Sequence, residues 1–187
     1  MPHTQYLALL RGINVGGGNI IKMVDLKTCL EASRLENVAT YIASGNVLFD
    51  SKETDTAKLA TVLERALSKT FSPYDARLVV CSHAKLEQIV RKAPKGFGTQ
   101  PAKFRYDVVF LKEPATATEA LKSVKTRDGV DQAFAGPDVL YCSRLIAKAA
   151  QSQLSKIVSL PIYKSMTVRN WNTTTKLLAL MDARRQQ

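Results

Sequence analysis

The sequence predicts an α+β protein built from two ferredoxin-like subdomains packed together, and three observations predict it. Strand and helix periodicities alternate over residues 6–81 in the order βαββαβ, the split βαβ arrangement. A breaker-rich segment, Ala93-Pro94-Lys95-Gly96-Phe97-Gly98 through Pro101, then interrupts the pattern. Beyond it a second βαββ order begins, so the halves are expected at 1–93 and 94–187.

Tyr6 to Arg11 is an apolar run of strand length, and Leu26, Cys29 and Leu30 recur at helical spacing, placing a first helix over about 24–34. Val38–Ala43 and Val47–Asp50 flank Ser44-Gly45-Asn46, a compact turn signal, and read as a hairpin. Leu59, Val62, Leu63, Ala66 and Leu67 define an amphipathic helix over about 55–71, and Ala76–Cys81 is the next strand. A short connecting helix carries Leu86, Ile89, Val90 and Ala93. In the second half, Arg105–Leu111 is a strand, Ala117, Ala120, Leu121 and Val124 mark a helix, and Val130–Ala135 with Val139–Ser143 form a hairpin around Gly136-Pro137-Asp138. Leu154, Ile157 and Val158 mark a short helix. A longer one runs from Trp171 to Arg185, capped by Asn170 or Asn172, with Trp171, Thr174, Leu178 and Met181 on its core face.

At 187 residues, 45% apolar and 23% charged, the chain has the composition of a folded globular protein rather than a disordered one. No apolar run approaches the ~20 residues that span a bilayer. The segment Met1-Pro2-His3-Thr4-Gln5 lacks the basic-then-apolar pattern of a signal peptide, so a cytoplasmic address and no membrane partner are expected. Cys29, Cys81 and Cys142 are solitary and sit inside apolar patterns, and they are read as reduced core thiols. No Cys/His pair has zinc-ligand spacing. Asp50, Glu53 and Asp55 suit helix capping better than a Mg²⁺ site, and neither a metal nor a cofactor is expected. Of the two histidines, His3 belongs to the terminal tail and His83 opens the connecting helix, where a local hydrogen bond is its expected role.

The net charge of +11 is unevenly distributed. Residues 1–93 carry 12 basic and 9 acidic side chains, residues 94–187 carry 15 and 7, and no carboxylate side chain occurs from Val139 to Met181. Arg144, Lys148, Lys156, Lys164, Arg169 and Lys176 lie in that window. Such a stretch creates a field that attracts phosphates, nucleic acid or acidic surfaces, provided the charges share a face.

Two constellations carry the candidate chemistry. The first is the loop Arg11-Gly12-Ile13-Asn14-Val15-Gly16-Gly17-Gly18-Asn19, followed by Lys22. Its four glycines admit positive φ and close backbone approach, so N–H groups can converge on an anion beside Arg11. Gly12 and Gly17 have the first spacing of a nucleotide-binding P-loop, but Gly18 and Asn19 stand where its Lys and Ser/Thr belong, which argues against a Walker-type NTPase. In the expected topology strands one and three are antiparallel neighbours, which places this loop beside Ser44, Gly45 and Asn46 on one polar rim. The second constellation is Tyr163-Lys164-Ser165-Met166-Thr167-Val168-Arg169-Asn170-Trp171-Asn172-Thr173-Thr174-Thr175-Lys176, an unusually polar helix entrance. Its Asn and Thr side chains, the Arg169 fork and the free N–H groups of the helix start suit phosphate or carboxylate recognition, or else an elaborate cap. Tyr6 and Phe49 occupy strands where RNA-recognition modules carry stacking aromatics. The first strand is apolar on both faces, however, and both are expected to be covered.

Taken together, R-G-I-N-V-G-G-x-N, K-M-x-x-L (Lys22, Met23, Leu26), T-Y-I-x-S-G-N-V-x-F and T-x-R-N-W-x-T with K-L downstream resemble the bacterial domain-of-unknown-function family sixteen-ninety-seven (DUF1697). The resemblance covers nearly the whole chain, implies two ferredoxin-like subdomains, and implies no established activity. It falls on Arg11, Gly12, Asn14, Gly16, Gly17, Asn19, Lys22, Met23, Ser44, Gly45 and Asn46, and on Thr167, Arg169, Asn170, Trp171, Thr173, Lys176 and Leu177. Departures occur at Ser33-Arg34, where Leu-Gly is usual, and at Ser143-Arg144-Leu145-Ile146-Ala147-Lys148, where a glycine-rich run is usual.

The functional expectation is a protein that binds a phosphate-bearing ligand, nucleic acid or nucleotide, through Arg11, the 12–19 backbone, Asn14, Asn19, Asn46, Arg169 and Lys176, with Lys22, Ser44, Gly45, Lys164, Thr167, Asn170, Asn172 and Thr173 alongside. Two alternatives stand beside it. One is a small enzyme acting on a phosphorylated or carboxylated metabolite with Ser44 or Lys164 participating. The other is a structural or partner-binding protein whose glycines only shape turns and whose asparagines only satisfy buried backbone.

Overall fold

The computed structural model describes residues 3–186. Met1 and Pro2, the start of the terminal segment read above, lie outside these, as does Gln187. Eight strands and five α-helices follow one another as β1 (Thr4–Leu10), α1 (Met23–Glu31), β2 (Glu36–Tyr41), β3 (Asn46–Ser51), α2 (Thr56–Thr70), β4 (Leu78–Ser82), α3 (His83–Arg91), β5 (Phe104–Leu111), α4 (Ala117–Ser123), β6 (Asp131–Gly136), β7 (Val139–Leu145), β8 (Met166–Asn170) and α5 (Trp171–Arg185). They form two four-stranded antiparallel sheets with equivalent strand orders, β2-β3-β1-β4 and β6-β7-β5-β8. The second half therefore repeats the ferredoxin-like topology of the first, as the sequence predicts.

In the first unit, alternation along β1 sends Tyr6, Ala8 and Leu10 into a core with Val47 and Phe49 of β3, Leu26 and Leu30 of α1, and Leu59, Leu63 and Leu67 of α2. Leu7 and Leu9, on the opposite face, are also fully buried, which explains why β1 reads as a continuous apolar run. Tyr6 and Phe49 stack with ring centroids 5.6 Å apart, but both rings are buried in this core and offer no surface for RNA bases. α2 starts where its sequence signal lies, because Asp55 accepts hydrogen bonds from the N–H groups of Ala57 and Lys58. The carboxylates before α2 thus act in capping and pairing: Glu53 accepts from the Thr54 and Asp55 N–H groups and pairs with Lys58, which holds its carboxyl below the usual range.

In the second unit, Val109 and Leu111 of β5, Leu140 and Cys142 of β7, Met166 of β8 and Ala120 of α4 make the buried core. α4 carries a complete capping box, with Thr116 and Glu119 exchanging hydrogen bonds. Three 3-10 segments, Ile146–Gln151, Leu154–Ser159 and Pro161–Ser165, stand where a single short helix is expected from Leu154, Ile157 and Val158. Local side-chain bonds compete with a continuous helix there: Ser155 Oγ donates to Ser152 O and Ser159 Oγ to Lys156 O. Asp131 pins the segment by accepting from Ser152 Oγ at 2.6 Å and from the Gln153 N–H at 2.7 Å.

The two compact units are residues up to Leu86 together with those from Met181 onward, and Glu87–Leu180. The division therefore runs through α3 rather than after it, and the last turns of α5 return to the first unit. Long-range bonds within each unit account for this. His83, at the start of α3, meets Asp182 Oδ1 through Nε2 at 2.5 Å and Arg185 through Nδ1 at 2.9 Å. Its partners lie about a hundred residues away, so the local hydrogen bond expected of it is corrected. A guanidinium only donates and a carboxylate only accepts, so the ring is the tautomer with its proton on Nε2. In the second unit, Tyr141 OH donates to Ile89 O at 2.6 Å and ties the later half of α3 to β7. On α5 the buried positions are Thr174, Leu177 and Met181. Leu177 takes the place expected for Leu178, and Trp171 is only half-buried.

Cys81 and Cys142 are buried and Cys29 partly so, all three free. Burial, with Asp107 and Asp131 nearby, pushes the Cys142 thiol up to about 12. Burial likewise raises Tyr74, whose OH donates to Arg11 O at 2.7 Å, and Tyr141 to about 12, against an ordinary value of 10.0. A pKa raised by folding gives stability that is complete below the unfolded value and lost as pH rises through the folded one. The protein is therefore expected to lose stability between pH 10 and about pH 12, with Tyr74 and Tyr141 ionising only near the top of that range. Parallel ultraviolet titration of tyrosine and circular dichroism checks this, and one tyrosine transition near pH 10 with the fold intact would refute it.

Candidate functional site

In the first unit the glycine loop and the β2–β3 hairpin meet at one end of the sheet. The Leu10 N–H donates to Gly45 O at 2.8 Å, and Leu9 lies opposite Asn46. Asn14 joins the two segments. Its Nδ2 donates to Ile21 O at 2.9 Å and to Ala43 O at 2.8 Å, while its Oδ1 accepts from the Ile21 N–H at 2.8 Å. Asn19 Nδ2 donates to Gly12 O, and Asn46, fully buried, donates to Tyr41 O and Ser44 Oγ. The polar side chains of the motif thus hold its own backbone. Gly16 and Gly17 have consecutive positive φ of 60° and 78°, the mirror-type two-residue turn of a tight hairpin, and the Gly18 N–H closes it on Val15 O. The loop is therefore a hairpin arm, flanked by exposed Val15 and Ile20. Gly45 is demanded by space as well as φ, since a Cβ there would lie 2.8 Å from Leu10 Cβ and 2.9 Å from Ile13 Cδ1. Arg11 is half-buried, while Gly12 and Lys22 are exposed.

In the second unit the closing motif straddles β8 and the start of α5. Thr167 and Arg169 are buried, and Arg169 donates to Val168 O at 2.8 Å. Asn170 caps α5 by accepting from the Asn172 N–H at 3.0 Å and anchors it to β5 by donating to Tyr106 O at 3.0 Å. Asn172 and Lys176 are exposed and Thr173 is half-buried. Lys164, also exposed, precedes β8 and so lies at the other end of that strand from Asn170. The glycine loop and its hairpin belong to one unit, the closing motif to the other.

Beside Asn170, Trp171 and Asn172 the second unit has a cavity of about 390 Å³. Phe104, Arg105 and Tyr106 of β5 and Arg144 of β7 line it as well. Arg105 and Arg144 face each other directly across the β5–β7 ladder, on the same side of the sheet. Arg105 Nε donates to Asp107 Oδ2 at 2.7 Å, and that carboxylate raises the guanidinium's pKa further. Asp131 also lies in register with Arg144, but its oxygens are taken by Ser152 and by the Gln153 and Arg127 N–H groups. Arg144 has no ion-pair partner among the described residues, and it opens on the cavity half-buried. Trp171 is set by Phe97, which packs edge-on to it at 5.1 Å, and by Gly98, where a Cβ would stand 2.1 Å from the indole Nε1.

Of the residues singled out by sequence, the cavity gathers Asn170 and Asn172 with Trp171. Phe104, Arg105 and Tyr106 were missed, and Arg144 was legible only as part of the basic stretch. A signal for them exists: residues 88–106 contain no carboxylate side chain, and their basic residues alternate with Phe97, Phe104 and Tyr106. Among the described residues no group of three His, Cys, Asp or Glu side chains is placed to hold a metal ion, and no helix is long and apolar enough to cross a membrane.

The profile of the protein family DUF1697, described as protein of unknown function, matches residues 3–141. The fold is similar to that of a conserved bacterial protein from Streptococcus pneumoniae, with a TM-score of 0.84 and 25% identity over 97% of this chain and 99% of that one. None of the curated proteins matches the sequence.

Proposed function

The chain belongs to the DUF1697 family, proteins of unknown function, and we propose from its own geometry that it binds a phosphate-bearing ligand, a nucleotide or nucleic acid, in the cavity between β5, β7 and the entrance of α5. The observation that carries this reading is the Arg105–Arg144 pair. Arg105 is held by Asp107, while Arg144 opposite it has no ion-pair partner among the described residues, so an anion at this point meets one guanidinium free of a carboxylate and a second one beside it. A guanidinium fork matches phosphate oxygens with two parallel hydrogen bonds. The start of α5 adds partial positive charge, and the amides of Asn170 and Asn172 stand beside it.

The first unit fits the structural alternative better. Its asparagines satisfy loop carbonyls and its glycines set a hairpin turn, so the arm is a product of folding chemistry rather than a phosphate cradle.

Trp171 is the chain's sole tryptophan and lines the cavity, so its fluorescence reports occupancy. Tripolyphosphate or a nucleoside triphosphate is expected to change it at about 50 mM salt and less at about 200 mM. Arg144→Ala is expected to weaken that binding at least ~10-fold, since a hydrogen bond to a charged group contributes about 1.5–3 kcal/mol. Arg144→Lys, which keeps the charge and loses the fork, should fall between. Equal affinity of Arg144→Ala and the wild-type protein would remove this assignment.

A further inference from the structure

We infer that the ligand is single-stranded nucleic acid, laid across two adjoining compartments of the second unit; this rests on the phosphate reading above and names its ligand class. A second cavity, of about 310 Å³, adjoins the first and shares Phe104 and Tyr106 with it as a common wall. Lys95, Gln100, Gln132 and Phe134 contribute to its far side. Each compartment is near the lower end of ligand-pocket volumes, about 300–1,000 Å³, which leaves room for one nucleotide in each.

Three features select this ligand. No carboxylate side chain lines either compartment, while Lys95, Arg105 and Arg144 do. Two carboxylate-free stretches, 88–106 and 139–181, supply most of these walls, and β6 adds Gln132 and Phe134 from between them. Strand alternation sets Arg105 and Arg144 on the sheet face opposite Tyr106, Gln132 and Phe134, so a nucleic-acid strand using both compartments passes around the Phe104–Tyr106 end of β5. Aromatic rings recur along the groove, from half-buried Trp171 and Phe104 to Phe134, which is 42% exposed on β6, with buried Tyr106 packed behind Phe104. Stacking on successive rings tolerates any base, because every base has a π-face. The side-chain amides of Gln100, Gln132, Asn170 and Asn172 can donate to or accept from an unpaired base edge, and paired bases in a duplex present no such face to a side chain in a cavity. A mononucleotide would fill one compartment and leave Phe134 exposed. Two consecutive nucleotides of a single strand use both.

The test is a titration of the full chain with a short labelled oligouridylate, followed by anisotropy and by Trp171 fluorescence. Uridine monophosphate, inorganic tripolyphosphate and a duplex of the same length are the comparison probes. The oligouridylate is expected to bind at least ~10-fold tighter than any of the three, with a log-log salt slope of about −0.7 per phosphate contact. Phe134→Ala is expected to weaken oligouridylate binding ~10-fold and Phe134→Tyr to restore it, with circular dichroism confirming that both variants fold. Tripolyphosphate, monophosphate or duplex binding as tightly as the single strand would overturn the nucleic-acid inference and leave the phosphate reading standing. Wild-type affinity in Phe134→Ala would do the same. Failure of every probe to bind at low salt would overturn both.

Discussion

Gly98→Ala is expected to destabilise the second unit by about 2–5 kcal/mol and to change the environment of Trp171. Two terms add. Gly98 has φ of +84°, where an L side chain is strained by about 1–2 kcal/mol. The new methyl would also stand 2.1 Å from the Trp171 Nε1 and 2.3 Å from its Cδ1, far inside contact distance. The indole must move, and Phe97, packed edge-on to Trp171, Tyr106 and Tyr141, must move with it. Overpacking of this kind contributes about 1–3 kcal/mol. Thermal and urea unfolding followed by Trp171 fluorescence measure both effects. A variant within about 0.5 kcal/mol of wild type, with an unshifted emission spectrum, would show that the Gly98–Trp171 contact does not set this wall.

Asn14→Ala is expected to destabilise the first unit by about 3–5 kcal/mol, with no ligand present. One amide serves Ile21 O, Ala43 O and the Ile21 N–H, and each net hydrogen bond contributes about 1 kcal/mol. The residue also sits at φ of +54°, which Asn tolerates and Ala does not. Asn14→Gly separates the terms, because it relieves the backbone and still loses the three bonds. The expected order of stability is wild type, then Asn14→Gly, then Asn14→Ala. If Asn14→Ala unfolds like wild type but the protein loses affinity for a phosphate-bearing probe, the loop is a binding element and the structural reading of it fails.

The elements most legible in the sequence were those whose signals are local. The Asp55 cap, the periodicity of α2 and the turn at Ser44-Gly45-Asn46 each depend on residues within a few positions, and each element lies within two or three residues of its expected bounds. The topology followed because the order of these elements leaves few ways to pair the strands. Three readings differ from the structure, two of them because the partner is remote. His83 bonds to residues about a hundred positions away, so no window around it shows Asp182 and Arg185. The helix expected at Leu154–Val158 becomes 3-10 turns because Asp131, on another element, captures its start. α5 shows Leu177 to the core rather than Leu178, a 100° rotation that helical spacing alone resolves poorly when Leu177, Leu178 and Leu180 are all apolar.

Sequence by itself determined the fold class, the duplicated ferredoxin-like order, the family, and the presence of two polar motifs on a basic chain, because periodicity, turn chemistry and net charge are properties of neighbouring residues or of totals. Only the tertiary structure decided which groups those motifs meet. Asn14, Asn19 and Asn46 turn inward to backbone carbonyls, which sequence cannot distinguish from turning outward to a ligand. Arg105 and Arg144, separated by about forty positions, become directly opposed only when β5 and β7 pair in one register, and a slip of one residue would send Arg144 to the other face. The candidate site therefore depends on strand register, which long-range packing sets.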